Sequence, residues 1–231
     1  NNETGVIQPL SELAKIAKDN GIPFHSDGVQ ALGKIPVNVY ETGVTMMSFS
    51  AHKFYGPKGV GALFIKENTP LRSFIIGGGQ ERNLRAGTEN VPGIAGMGMA
   101  AKLAKSELSG TETHLKKLAV LFKSSLKNHI KNINFNSAPE QLPGIVSVTF
   151  PSTDSGKLII GLSRRGMAVS SGSACSSGTV KPSHVLNAIG LSNEMNLKTL
   201  RISFGKGNSE DEAIELAEAI SQIVTGKPVH A

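Results

Sequence analysis

A chain of 231 residues, 39% hydrophobic and 18% charged, can bury one sizeable core or two modest ones, and nothing in its composition suggests disorder over long stretches. No apolar run approaches the roughly 20 residues that cross a bilayer, the start lacks the basic-then-apolar order of a secretory leader, and a single cysteine cannot form an internal disulfide. The expectation is a soluble protein of a reducing, cytoplasmic setting, without membrane contact. The formal charge of +6 is dispersed, with Lys102, Lys105, Lys116, Lys117, Lys123, Lys127 and Lys131 in a helical stretch that lacks interleaved aromatics; a solvated face is expected there, not a nucleic-acid surface.

Helical and strand patterns alternate along the chain, and no internal repeat or low-complexity segment interrupts them. Pro9 at a first helical position, apolar Leu10, Leu13, Ala14, Ile16 and Ala17, and Gly21 past the end describe an amphipathic helix. Residues 21–25 read as a short strand leading to Asp27, residues 44–50 as a second leading to Lys53, and residues 60–66 as a third. The Gly77-Gly78-Gly79 run is a backbone-exposing turn that can cradle phosphate, although such runs more often only connect. Helices are predicted over 92–108, 111–131, 155–165, 182–189 and 209–224, and strands over 144–150 and 200–204. Ser209 and Glu212 have capping-box spacing. The alternation is that of an α/β protein, with a boundary near Ser109-Gly110 dividing 1–108 from 109–231.

Asp27 lies in Phe24-His25-Ser26-Asp27-Gly28-Val29-Gln30 and Lys53 in Ser50-Ala51-His52-Lys53-Phe54-Tyr55-Gly56. Both follow strand ends, where open α/β sheets place their ligands. A lone lysine is most often a solvated charge. Paired in this way, however, an amine can condense with an aldehyde while a carboxylate keeps a pyridine nitrogen protonated, which is the requirement of pyridoxal phosphate chemistry. Cys175 is flanked by small residues in Ser170-Ser171-Gly172-Ser173-Ala174-Cys175-Ser176-Ser177-Gly178. A lone cysteine is most often a small buried hydrophobe, but Gly and Ser here punctuate a loop, in which a thiol stays accessible as a nucleophile. His25, Asp27 and His52 also make up the ligand types of an iron facial triad. That reading leaves Lys53, Gln30 and Cys175 without roles, and no metal is expected.

Taken in order, Asn1-Asn2-Glu3-Thr4-Gly5, His25-x-Asp27-x-x-Gln30, Ser50-Ala51-His52-Lys53, Gly77-Gly78-Gly79-Gln80-Glu81 with Arg85-x-Gly87-Thr88, and Ser171-Gly172-Ser173-Ala174-Cys175 resemble the cysteine desulfurases. These belong to the class V aminotransferase group of fold-type I pyridoxal phosphate enzymes, and the resemblance runs from Asn1 to about Ile220. It implies a partial fold-type I aminotransferase architecture of the α/β class. Residues 1–108 would be the remainder of the large, mostly parallel-sheet cofactor domain, and 109–231 a smaller C-terminal α/β domain carrying the Cys175 loop. The chain opens inside what is a mid-protein motif of that family. The family's preceding half, with its Gly-Ala-Thr-Glu-type phosphate loop and the histidine that stacks on the cofactor ring, is therefore expected to be missing from it.

The resemblance also implies an activity: sulfur is removed from L-cysteine to give L-alanine and a Cys175 persulfide. Lys53 would carry the cofactor and serve as base, and Asp27 would hold the ring nitrogen. Gln30 and Asn2 would meet the ring hydroxyl and ring face, and Ser50 and His52 the phosphate. Thr88 would reach the phosphate of a partner's cofactor across a homodimer interface. Arg201, with Asn2, would grip the substrate carboxylate, a task suited to a planar guanidinium fork. An iron-sulfur scaffold or another sulfur-acceptor protein is the implied recipient, with the Cys175 loop and residues 224–231 as contact surfaces. Selenocysteine lyases and other class V lyases or aminotransferases share the Lys and Asp machinery and stay open, as does a chain that only dimerises or docks a partner.

Overall fold

The chain falls into two units, Gln8–Ser109 on the one hand and Asn1–Ile7 with Gly110–Ala231 on the other. These assignments come from a computed structural model that describes residues 1–138, 140–171 and 181–226. The break after Ser109 lies beside the predicted boundary, while the first seven residues group with the later ones.

In the Gln8–Ser109 unit, helix α1 (Leu10–Asp19) starts behind Pro9, whose missing N–H has no intrahelical partner to lose at that position. Strand β1 is His25–Asp27, later than the predicted 21–25. Pro23 has no N–H to give a ladder, and Gly21 turns left-handed at φ 65°. Pairing begins only at Phe24, whose N–H donates to Thr45 Oγ1 at 2.9 Å and whose carbonyl accepts from the Thr45 and Met46 N–H groups. A single-turn helix α2 (Val39–Thr42), capped by Asn38, ends at Gly43. Strands β2 (Met46–Ser50) and β3 (Gly61–Ile65) complete a three-stranded sheet in the order β1-β2-β3. The β1–β2 pair is parallel and the β2–β3 pair antiparallel. Helix α3 (Val91–Ser106) is capped by Asn90. Its Ala100 is buried with Ala51 and Phe54, against Leu32, Val60, Met97, Ala101 and Ala104.

The other unit carries α4 (Leu108–His129), β4 (Asn134–Phe135), β5 (Ile145–Thr149), α5 (Ser155–Ser163), β6 (Ser170–Ser171), α6 (His184–Ala188), α7 (Asn193–Asn196), β7 (Thr199–Ser203) and α8 (Glu210–Thr225). The strands form an antiparallel sheet in the order β4-β5-β7-β6. Val146 pairs with Ile202 and Val148 with Leu200, so alternate positions of β5 and β7 share one apolar face. That face belongs to a core with Leu115, Leu118, Phe122 and Leu126 of α4, Leu158 and Leu162 of α5, and Ala213, Ala217 and Ile220 of α8. The helical residues recur at intervals of three and four, as one buried stripe requires. Ser147 and Thr149 are also buried and are satisfied by polar partners: Asn136 Nδ2 donates to both, and the Thr149 and Thr199 hydroxyls meet at 2.7 Å. Helix α6 is shorter than the predicted 182–189 because Ser183 is its cap, accepting from the Val185 and Leu186 N–H groups.

Phe122 is fully buried and meets Phe204 edge-on at 5.7 Å. Phe122→Ala is expected to cost about 3–5 kcal/mol, read as an earlier urea midpoint. The Ser209–Glu212 capping box is formed as its spacing predicts, and Ser209→Ala is expected to cost about 1 kcal/mol. The Ser209 backbone N–H, followed by Asn208, holds the Glu212 carboxyl below the usual glutamate range. Its folded pKa is therefore the lower one, and its contribution to stability is present above the ordinary glutamate pKa and fades as pH falls through the depressed value. Thermal midpoints followed into acid should accordingly fall less steeply for Glu212→Gln than for the wild-type chain.

Candidate active site

Because β1 and β2 run parallel, with Asp27 opposite Ser48, their carboxyl ends emerge at one edge of the sheet. Asp27 is the last residue of β1. One of its oxygens accepts from the Val29 N–H at 2.8 Å, a turn that Asp makes readily just past a strand. The ladder continues one residue further, where the Gly28 N–H donates to the Ser48 carbonyl. A Cβ on Gly28 would stand 2.8 Å from Phe49 Cε1 and 2.9 Å from Met47 Sδ. A side chain there would require the Phe49 ring and the Met47 thioether to shift.

Beyond β2, residues Ala51–Phe54 form a 3-10 turn. Ala51 and Phe54 are its buried members, packed with Ala100 of α3, and His52 and Lys53 between them are exposed. The apolar pair thus anchors the turn and turns the imidazole and the amine outward. Ser50 Oγ lies 2.8 Å from His52 Nδ1. The Lys53 amine has no hydrogen bond or ion pair among the described residues. Gln30 accepts from Lys34 Nζ at 2.9 Å. Thr88 is exposed in the loop before α3, following Gly87 at φ 103°, whose N–H donates to Gln80 Oε1.

In the other unit, Asn2 and Arg201 are in direct contact: Arg201 Nη1 donates to the Asn2 carbonyl at 3.2 Å. Arg201 sits in β7 opposite Ser147 and Ser170. It is the neighbour of core-facing Leu200 and Ile202, and so belongs to the opposite face of the strand. Arg201 Nε and Glu3 Oε2 are buried with no hydrogen-bond partner among the described residues. Cys175, the predicted nucleophile, lies outside the described residues.

Asp27, Gln30, Ser50, His52 and Lys53 therefore follow two adjacent strand ends in one unit, and Asn2 meets Arg201 in the other. The iron-triad alternative receives no support. His52 Nδ1 is engaged by Ser50, and among the described residues no three His, Cys, Asp or Glu side chains are grouped as a metal would need.

The donor set suits pyridoxal phosphate. Among the described residues it offers an unpaired amine on an anchored turn, a carboxylate with one oxygen uncommitted, and a hydroxyl beside an imidazole. Arg201 Nε is a buried donor with no acceptor among the described residues, a state that is costly unless a partner is supplied.

The profile of class-V aminotransferases matches residues 1–216. The chain belongs to the class-V aminotransferase family. That family is pyridoxal phosphate dependent. This family member is 42% identical over 225 residues to the cysteine desulfurase IscS of Dictyoglomus turgidum, covering 97% of this chain and 57% of that protein. It is 42% identical over 232 residues to the mitochondrial cysteine desulfurase of Candida albicans, covering 97% of this chain and 46% of that one. Its fold superposes on the crystal structure of a NifS-like protein from Rickettsia africae with a TM-score of 0.87 and 37% identity, over 96% of this chain and 59% of that one. The predicted class V, fold-type I architecture is borne out over the part of the fold present. The chain spans about half the length of the curated relatives it matches.

Asn2 is held by a turn built on its neighbour Asn1. The Asn1 side-chain carbonyl accepts from the Glu3 and Thr4 N–H groups and the Thr4 hydroxyl. The doubled asparagine is the only sequence signal for that turn.

The spacing of β2 and β3 next to Lys53 can be tested directly. A Cβ on Gly61 would lie 2.6 Å from the Phe49 carbonyl oxygen, a backbone atom that can move only by parting the strands. Gly61→Ala should reduce loading with pyridoxal phosphate while leaving the Lys53 amine in place, as measured by retained absorbance after desalting.

Proposed function

We propose that this chain contributes to a pyridoxal phosphate-dependent cysteine desulfurase, which takes sulfur from L-cysteine, releases L-alanine and passes the sulfur on as a Cys175 persulfide. The observation that carries the reading is the parallel β1–β2 pairing, by which Asp27 and the Lys53 turn follow neighbouring strand ends, with the amine unpaired among the described residues. The relatives named as cysteine desulfurases support the choice of substrate.

In this reading Lys53 Nζ holds the cofactor aldehyde at rest, Asp27 keeps the ring nitrogen protonated, Gln30 meets the ring hydroxyl and Asn2 the ring face. Ser50, His52 and, from a partner copy, Thr88 hold the phosphate. When bound, pyridoxal phosphate supplies an electron sink for the substrate Cα. Lys53 Nζ, the amine nearest that carbon in this reading, would take the Cα proton. Arg201 grips the α-carboxylate. The Cys175 thiolate forms a bond to the substrate sulfur as the Cβ–S bond breaks, and proton return to the three-carbon remainder gives L-alanine.

The assembly is a homodimer that hands its persulfide to an iron-sulfur scaffold or another sulfur carrier. No described helix is long and apolar enough to cross a membrane, and we assign the protein to the reducing cytoplasm. Residues 1–108 act as part of the large cofactor domain and 109–231 as the small domain.

The deciding measurement is the visible absorption of the purified chain with pyridoxal phosphate, before and after L-cysteine. A band that is absent from Lys53→Ala and that changes with cysteine is the expected result. Cys175→Ala should keep the band and stop alanine release; a Cys175→Ala chain that fails to bind the cofactor would refute this division of labour.

A further inference from the structure

The segment that carries Asn2 is held to its unit by backbone hydrogen bonds and by the side chain of Gln141. Gln141 Nε2 donates to the Thr4 carbonyl at 2.7 Å and to the Ile145 carbonyl at 3.0 Å, and Gln141 Oε1 accepts from Lys123 Nζ at 3.3 Å. The backbones are joined beside it. Leu142 N–H donates to the Gly5 carbonyl at 2.7 Å, and Val6 bridges Gln141 in antiparallel fashion. Gly5 makes the approach possible, since at φ 77° a Cβ there would lie 3.0 Å from Gln141 Cγ and 3.2 Å from Ile145 Cβ. A side chain at position 5 would be strained at that φ and would press on the Gln141 side chain.

From that fastening a short chain of contacts leads to the site. Thr4, held through its carbonyl by Gln141, is also held through its N–H and hydroxyl by the Asn1 side chain. The turn between them presents the Asn2 carbonyl to Arg201 Nη1. Arg201 Nε, meanwhile, is sealed from solvent without a partner. One guanidinium edge is thus fixed by the Asn1–Thr4 turn, and Nη2 is left without a partner among the described residues.

We infer that Gln141 is a positioning residue for the α-carboxylate of the substrate: by tying the Asn1–Gly5 turn to the start of β5, it holds the Asn2 carbonyl and so aims the Arg201 fork. The inference rests on the proposed desulfurase reading for the identity of the carboxylate, and on this unit's own hydrogen bonds for the clamp. A carboxylate gripped bidentately tolerates little misalignment of the fork, so a loosened turn weakens substrate binding and spares the cofactor's attachment at Lys53.

The test compares the wild-type chain with Gln141→Ala, Gln141→Glu and Lys123→Met, with Arg201→Lys as the reference for a damaged fork. Two quantities are read: backbone hydrogen exchange at Glu3, Thr4 and Gly5, and the L-cysteine concentration that half-saturates the spectral change of the pyridoxal phosphate-loaded chain. Gln141→Ala should speed exchange and raise the half-saturating concentration by about tenfold each, the scale of losing a hydrogen bond at a charged site. Its cofactor should remain attached at Lys53. Gln141→Glu retains the acceptor for Lys123 but loses the amide donor, and should behave as Gln141→Ala does. Lys123→Met keeps that donor and should stay near wild type.

Unchanged exchange at Thr4 and Gly5 in Gln141→Ala overturns the clamp. Faster exchange with an unchanged cysteine requirement, in the face of a raised one for Arg201→Lys, overturns the positioning role. A wild-type chain with no spectral response to L-cysteine is the separate failure of the desulfurase reading, and exchange at Thr4 and Gly5 then still decides the clamp.

Discussion

The parallel register of β1 on β2 is the constraint on which the candidate site depends. With Asp27 opposite Ser48, both strands deliver their chain ends to the same edge, and the residues that follow them are neighbours by construction. A slip of one residue would reverse the face on which each side chain lies. The register is protected by close packing. Gly28 lies under Phe49 and Met47, and Gly61 lies against the Phe49 carbonyl, so each flank of β2 is filled to contact distance at the end nearest the site.

The turn after β2 converts that register into chemistry. Ala51 and Phe54 are buried and His52 and Lys53 exposed within four residues, a division that a short 3-10 turn makes sharply because its side chains fan out in only three directions. Burial of the flanking pair restricts the turn's backbone, while the lysine's own methylene stem keeps its freedom. An amine that must first hold an aldehyde and then take a proton needs that combination.

Much of this was legible in the sequence, for identifiable reasons. The helices α4 and α8 and the strands β5 and β7 carry strong apolar periods, and Asp27 and Lys53 stand out because each is a charge just past an apolar run. The start of β1 was misplaced because Pro23 and Gly21 break a ladder that hydropathy alone would begin earlier. Strands β4 and β6 and helices α2 and α7 are too short for any period to register. Gln141 gave no signal, because a side-chain amide bonded to a carbonyl 137 residues away leaves no trace in local pattern. Asn2 and Arg201 are paired by resemblance as substrate-binding residues, and the structure adds the bond from the guanidinium to the Asn2 carbonyl.

That distance along the chain bears on how the molecule comes together. Thr4 meets Gln141, and Asn2 meets Arg201 from 199 residues away, while residues 8–109 form a unit of their own. Closing so long a loop has an entropic cost that grows only slowly with length, so the arrangement is thermodynamically tolerable. Its toll is on timing. Thr4 and Gly5 can pair once Gln141 and Leu142 have been made, but the Asn2 carbonyl meets its guanidinium only after the chain has been extended past β7. The guanidinium and its carbonyl are thus a late-maturing pair, assembled after the sheet edge that bears Asp27 and Lys53 has had the opportunity to form.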